Sequence, residues 1–466
     1  MGLTLFEKIW NRHVVAQLPD DWALLHIDRH LLHDLSGAIA LNEVKSRGFR
    51  VRNPELVFAT ADHAVATVPG RTGATNPDGA VRYAQLKAAT AEAGIRFFDL
   101  GKPGQGIVHV MAPELGLVQP GMTLICGDSH TCTNGALGAL AFGIGSSEIT
   151  HALATQTLLQ RKPRTMNIQI RGELGGGVFA KDIGLFLIGL LGTRAGTGYA
   201  VEYSGPVVSA LSVESRMTLC NLSIELGAKI GMIAPDNKTF AYLQGKPFSP
   251  AASRWSEALA QWQQEVGDAD AVFDAIHVVD VDSIGPMMTW GTSPEQVIEI
   301  NQQIPSLDEF DPGDARDDVE AALRYMALRP GATLLGTPVD RVFIGACTNA
   351  RLTDLREAAR LVDGKRVAAN VRAWVVPGSE QVKRDAEHEG LDDIFRSAGF
   401  EWREPGCSMC VAANGERAKP GERVVSTSNR NFVGRQGPGV RTHLASPASA
   451  AAAALAGKIV DPREVI

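Results

Sequence analysis

The chain has 466 residues, 45% of them hydrophobic and 21% charged, with a formal net charge of -7. That length suits about three domains, the composition is that of a folded globular protein, and the acidic balance provides no broad basic field for nucleic acid or anionic lipid. The opening MGLTLFEKIWNRHVV lacks the apolar core and small-residue cleavage site of a leader. The longest apolar stretch, GLFLIGLLG at 184–192, falls short of the ~20 residues that cross a bilayer. A reducing, cytoplasmic location is therefore expected, where cysteines serve as ligands more often than as disulfides.

Along the chain, apolar strands alternate with amphipathic helices, which predicts an α/β protein of largely parallel sheets with its chemistry beyond the carboxyl ends of the strands. FATADHAVAT (58–67) ends a strand on Asp62 and His63; GIVHV (106–110) places His109 after an apolar run, and GDSH (127–130) places Asp128 and His130 where a strand passes into a loop. THALATQTLLQRKP (150–163) reads as a helix that gives way near residue 166 to the strand TMNIQIRG. TLCNLSIELGAKIG (218–231) reads as a helix with Asn221 and Glu225, four apart, on one face. The proline-bearing NQQIPSLDEFDPGDARDD (301–318) supplies a second boundary, so the expected segments are 1–166, 167–308 and 309–466. In the last, DRVFIGA is a strand leading to Cys347, and TDLREAARLV is a helix with Thr353 or Asp354 as its N-cap. RAWVVPGS and ERVVSTSNRN repeat the passage from strand to polar loop, and ASPASAAAAALAG predicts a helix with a small-residue packing face.

The six cysteines are Cys126, Cys132, Cys220, Cys347, Cys407 and Cys410. A zinc ribbon needs a second CxxC, and a thioredoxin-like site needs its CxxC after an early strand, so neither suits PGCSMC. Three thiolates suit an iron–sulfur cluster with one iron left open as a Lewis acid. For Cys126, Cys132 and Cys220 the small-hydrophobe reading is preferred; for the other three the loop contexts GACTNAR and PGCSMC favour ligation. Spacing alone does not decide the matter.

KPGQGIVHV, GDSHTCTNGALGALAFGIG, IGACTNARLTDLREAA, PGCSMC and STSNRNFVGRQG together resemble the signature segments of the aconitase superfamily, and within it the branch of large subunits that isomerise isopropylmalate. The likeness runs over essentially the whole chain. It implies a three-domain arrangement of mostly parallel sheets flanked by helices around a central iron–sulfur cleft. It also implies a hydro-lyase of leucine biosynthesis that converts 2-isopropylmalate to 3-isopropylmalate by dehydration and rehydration. One 4Fe–4S cluster on Cys347, Cys407 and Cys410 is implied, without NAD, flavin or nucleotide.

The resemblance makes Asp62 and His63 the pair that protonates the departing hydroxyl, pairs Asp128 with His109, and places His130 near the metal-bound water with Glu225 as its partner. Asn221 becomes a cluster-side donor, and Asn429, Arg430 and Arg435 become the groups that meet cluster and substrate carboxylates. Read without the resemblance, these are a turn, a core histidine, ordinary helix-face polar groups and surface arginines. In single-chain relatives the proton-abstracting serine lies in a further, swivelling domain that no segment here resembles, so a separate small subunit is implied. The expected substrate is a small hydroxy dicarboxylate, with neither membrane nor nucleic acid as partner. Ala346 and Ala350 stand where relatives commonly have Ser, and Asn134 where many have His. These departures keep open a paralogue acting on another alkylmalate, citraconate or homoaconitate. Alternatives of other classes are an iron sensor that grips RNA when its cluster is lost, and a zinc-stabilised structural subunit.

Overall fold

A computed structural model describes residues 2–465. The chain forms two compact units: Met1–Val65, Thr72–Gly172 and Arg194–Asp280 build the first, and Ala66–Arg71, Glu173–Thr193 and Val281–Ile466 the second.

In the first unit the apolar runs RHLL, VFAT, RFF, TLIC and LAFG become a five-stranded parallel sheet. Its spatial order is Arg96–Phe98, Val57–Thr60, Arg29–Leu32, Thr123–Cys126, Leu140–Gly143. Near-continuous apolar character is what a parallel strand covered on both faces requires. The chain builds outward from Arg29–Leu32 on one side and then returns to add Thr123–Cys126 on the other. The reversal point therefore lies between those two strands, and a crevice opens there beyond their carboxyl ends. A second parallel sheet runs Ile230–Met232, Tyr199–Ser204, Arg164–Arg171, Ala275–Asp280. Phe6, Trp10, Leu25, Ile125, Phe142 and Met232 share the core of this unit.

The third sheet of the unit is antiparallel, Val14–Gln17, Trp22–His26 and Thr157–Arg161, and it corrects the helix expected over 150–163. The helix is Ser146–Thr155; Gln156 turns left-handed at φ 58°, and 157–161 becomes a strand. Leu158 is buried and Leu159 exposed, the period of two that suits a sheet. Asn221 and Glu225 do not share a helix face either. Asn221 ends the helix Val213–Asn221, and a 3₁₀ turn, Leu222–Ile224, separates it from Glu225.

The second unit carries another five-stranded parallel sheet, Glu401–Trp402, Arg372–Val375, Arg341–Ile344, Arg423–Ser426, Arg441–Leu444. Its strands succeed one another in the same order as those of the first sheet, so a second reversal point lies between Arg341–Ile344 and Arg423–Ser426. A hairpin, Met287–Thr289 with Val297–Glu299, adds an antiparallel pair. The alanine-rich tail forms the helix Pro447–Ala456, packed on the helix Leu352–Val362 and on strand Arg341–Ile344. Ala450 to Ala454 are fully buried, as close packing of small side chains requires. The helix Leu352–Val362 starts at Arg351 rather than at Thr353 or Asp354: the Asp354 carboxylate reaches back to accept the Arg351 N–H at 3.0 Å. Among the described residues no helix is long and apolar enough to cross a membrane.

Candidate active site

In the first unit, the side chains singled out from the sequence gather beyond the carboxyl ends of the first parallel sheet. Asp62 and His63 follow strand Val57–Thr60; Asp128 and His130 follow Thr123–Cys126; His109 is the second residue of the helix Val108–Glu114. Asp128 is the hub. Its carboxylate lies 3.0 Å from His63 Nε2, 3.3 Å from His130 Nδ1 and 3.5 Å from His109 Nε2, and it accepts the His130 N–H at 2.7 Å. The other nitrogen of His63, Nδ1, lies 2.6 Å from Asp62 Oδ1. Only the doubly protonated ring satisfies carboxylates at both nitrogens with two donors, so this geometry suits a histidine that holds a proton ready to give.

Burial opposes ionisation of Asp128, yet hydrogen bonds from His109, His130 and His63 hold its carboxyl well below the usual carboxylate range. Asp62 behaves alike: burial pushes its carboxyl up, and the neighbouring His63 and His33 bring it below the ordinary value. His130 Nε2 lies 3.0 Å from Glu225 Oε1. Asn221 donates to Thr133 Oγ1 at 2.8 Å, which ties it to the segment Ser129–Leu137 that carries His130. Asn134 donates to the Thr131 carbonyl and lies 3.4 Å from His109 Nδ1.

Two residues unremarked in the sequence belong to this constellation. Asp34 accepts the backbone N–H groups of His63 and Ala64 at 3.1 and 2.8 Å, and the His33 ring lies 4.5 Å from that of His63. Both follow strand Arg29–Leu32, at the reversal point. The signal was a His–Asp dipeptide at a strand end, the mirror of Asp62–His63.

In the second unit, loops at the carboxyl ends of the other five-stranded sheet carry the three cysteines. Cys347 follows Arg341–Ile344, Cys407 and Cys410 follow Glu401–Trp402, and Asn429 and Arg430 follow Arg423–Ser426. The Asn429 side chain spans two of the thiols: Nδ2 donates to Cys347 Sγ at 3.4 Å, and Oδ1 accepts from Cys410 Sγ at 3.7 Å. Cys410 N–H donates to the Cys407 carbonyl at 3.0 Å. These loops are strained. Ala346, Ser408 and Ala412 take positive φ of 75°, 49° and 55°, at a cost of about 1–2 kcal/mol each that the surroundings must offset.

Thr427 helps to fix them, its hydroxyl accepting from Gly345 N and donating to Gly345 O. Glu416 accepts from Ser408 and Thr67, and the Arg403 guanidinium pairs with it at 2.9 Å. Arg351, buried, caps the carbonyls of Thr348 and Cys347. Arg430 lies over the Phe432 ring at 5.7 Å, and Arg435 Nε is buried without a hydrogen-bond partner among the described residues.

Lys181 was also missed. It is fully buried at the start of the helix Ala180–Leu191 and donates to the Thr427 and Ser428 carbonyls at 3.1 and 2.5 Å. Burial pulls its ammonium down to about 8, against the fields of Cys410, Cys347, Asp354 and Asp182. Beside it, burial pushes the Asp182 carboxyl up to about 7. Elsewhere, burial pushes the thiols of Cys126 and Cys220 up, which suits inert core positions.

Two reversal-point sites on sheets of one order, one lined by histidine–carboxylate pairs and the other by three cysteines, define an aconitase-type protein. The sequence profile of the Aconitase family (aconitate hydratase) matches residues 7–457, and the chain belongs to that family. The 3-isopropylmalate dehydratase large subunit 1 of Bradyrhizobium diazoefficiens (strain JCM 10833 / BCRC 13528 / IAM 13628 / NBRC 14792 / USDA 110) is 58% identical to it over 462 residues, covering 99% of this chain and 97% of that protein. Among solved structures, holo-form aconitase X of Thermococcus kodakaraensis aligns over 90% of this chain and 88% of that one, with 13% identity and a TM-score of 0.49. The family implies a 4Fe–4S cluster. The second site has the chemistry for one: three buried thiols outside any disulfide, an amide spanning two of them, and a buried ammonium in the field of the same two sulfurs.

Proposed function

We propose that the chain is the cluster-bearing large subunit of a hydro-lyase that isomerises 2-isopropylmalate to 3-isopropylmalate by removing water and returning it with the hydroxyl on the neighbouring carbon, in leucine biosynthesis. The 58% identity across nearly both full lengths supports this reading more than any other observation. The chain is read as three consecutive aconitase-like segments, 1–166, 167–308 and 309–466, working in the cytoplasm.

Cys347, Cys407 and Cys410 would hold the cluster, which would supply Lewis-acid polarisation of the substrate. The remaining work belongs to side chains. His63, clasped between Asp62 and Asp128, gives its proton to the departing hydroxyl, which leaves as water; Asp128 and Asp62 steady the ring before and after transfer. On rehydration His63 takes a proton from the attacking water as its hydroxyl adds to carbon. His109 and His130 are oriented through Asp128, and Glu225 fixes the tautomer of His130. Arg430 and Arg435 receive the substrate carboxylates as guanidinium forks, while Asn429 and Asn221 orient the surroundings of the cluster. The proton on carbon is taken by a base outside this chain, the serine of a swivelling domain on a separate small subunit.

The test is to reconstitute the cluster anaerobically, add a small subunit of an isopropylmalate dehydratase, and compare turnover of 2-isopropylmalate, citraconate and homoaconitate. Preferred turnover of 2-isopropylmalate is expected. Inactivity on all three with the cluster in place would contradict the proposal, and preference for either of the others would reassign the substrate.

A further inference from the structure

A cavity of about 540 Å³ opens in the first unit away from the Asp128 constellation, none of whose side chains line it. That volume is typical of sites for small organic molecules. Trp10, Phe142 and Tyr199 give it aromatic walls, and Arg161, Lys162, Arg164 and Lys229 line it against a single carboxylate, Asp21. In a chain of net charge -7, this is a local inversion of charge with an aromatic floor.

Two of the cations are already seated on rings. The Arg164 guanidinium lies 4.1 Å from the Tyr199 ring centre and the Lys229 ammonium 5.0 Å from that of Phe142. Lys229 also donates to Gln160 Oε1 at 2.9 Å, and Gln160 in turn donates to Glu148 at 2.7 Å, so the ammonium is aimed. Burial pulls Lys229 below the ordinary lysine value, against the field of Glu148. Lys162 is occupied by Glu7 at 3.2 Å. Arg161 and Arg164, by contrast, donate no side-chain hydrogen bond to any described residue. A guanidinium stacked on a ring keeps its N–H edge free for a carboxylate or phosphate.

We propose that this cavity binds a small organic anion, a carboxylate or phosphate joined to a flat ring, with Arg161, Arg164 and Lys229 meeting the charge and Trp10 and Phe142 the ring. The site is independent of the assigned reaction: it shares no residue with either constellation described above. Its ligand is an effector rather than a substrate, because no acid–base or metal-binding set faces the cavity.

Isothermal titration of the full chain, with its cluster loaded, against AMP, benzoate and inorganic phosphate tests the proposal. Saturable binding is expected for AMP or benzoate at about 1 mM or below; AMP alone identifies a nucleoside phosphate, benzoate alone an aromatic carboxylate. Inorganic phosphate should bind at least about tenfold more weakly than the better ring compound. The double variant Arg161→Ala/Arg164→Ala, with unchanged thermal midpoint, should lose about tenfold or more in affinity, as removal of charge-assisted hydrogen bonds predicts. Lys229→Met should weaken binding in the same direction. No saturable binding of either ring compound, affinity for phosphate equal to theirs, or binding indifferent to both variants would overturn the proposal.

Discussion

The proton chemistry of the site turns on how few carboxylates serve how many imidazoles. Asp128 meets His63, His109 and His130 at once, so one substitution disturbs all three without creating a cavity. Asp128→Asn keeps the shape and removes the charge. Turnover of the two-subunit enzyme should fall by at least about a hundredfold, the scale of a lost acid–base function, with the substrate KM little changed. A variant within tenfold of wild type would remove Asp128 from that role. Lys181 makes a different prediction, since its ammonium faces the cysteine sulfurs and clamps the carbonyls before Asn429. Lys181→Met should shift the reduction potential of the reconstituted cluster to more negative values, on the order of tens of millivolts for about 1 kcal/mol of lost charge stabilisation, and speed iron loss; Lys181→Arg should restore much of both. An unchanged potential in Lys181→Met would mean the charge does not reach the sulfurs. Asp62, His63, Asp128 and His130 were legible because the segments that carry them, each following a readable strand, resemble those of a known family; read alone, Asp62 and His63 are a turn. Lys181 was not legible, because its importance comes from burial and from a loop nearly 250 positions away, neither of which has a local signature.

Elements hold these residues through contacts that leave no spare room. The segment Ser129–Leu137 lies so close to strand Ile230–Met232 that a methyl group on Gly135 would collide with the Gly231 carbonyl, and glycine is therefore required where His130 is positioned. Glu202, on strand Tyr199–Ser204, accepts the N–H of Phe6 at 2.8 Å and so satisfies an orphan donor of the helix Leu5–His13. Burial pushes its carboxyl up to about 7, against the hydrogen bonds of Phe6 and Leu5. With the folded value raised above the unfolded one, its contribution to stability is complete below about pH 4 and is lost as pH rises through about 7, at no more than ~1.4 kcal/mol per pH unit. The thermal midpoint should therefore decline between pH 5 and 8, by the equivalent of about 2 kcal/mol, and Glu202→Gln should flatten that decline. An identical slope in the variant would assign it to other groups. Alternation and apolar runs revealed most strands, but the strand at 157–161 was read as the tail of a helix because its last polar residues also fit a helical period. What settles it is the antiparallel pairing with Trp22–His26, a partner more than a hundred positions away.

At the scale of the whole chain, the two five-stranded sheets share one order of strands, and in both the candidate site residues lie on loops beyond the carboxyl ends of the strands. The sequence displayed no repeat, because the correspondence is in topology and not in residues. Nor did it display the interleaving of the units, in which Ala66–Arg71 and Glu173–Thr193 join the later part of the chain; hydrogen bonds such as those of Thr67 with Glu416 and of Lys181 with Ser428 carry that assignment. The motifs that were legible are short, polar and close to strand ends, whereas the supporting residues Asp34 and Glu416 act through backbone N–H groups distant in sequence.

Three thiolates gripping one cluster are the centre of the proposed chemistry. Iron and acid-labile sulfide, measured per chain after anaerobic purification of the wild type and of Cys347→Ser, Cys407→Ser and Cys410→Ser, test it most directly. About four of each are expected in the wild type, as a 4Fe–4S cluster requires, with marked loss in every variant. Full iron and sulfide in any one of the three variants, or zinc without sulfide in the wild type, would contradict it.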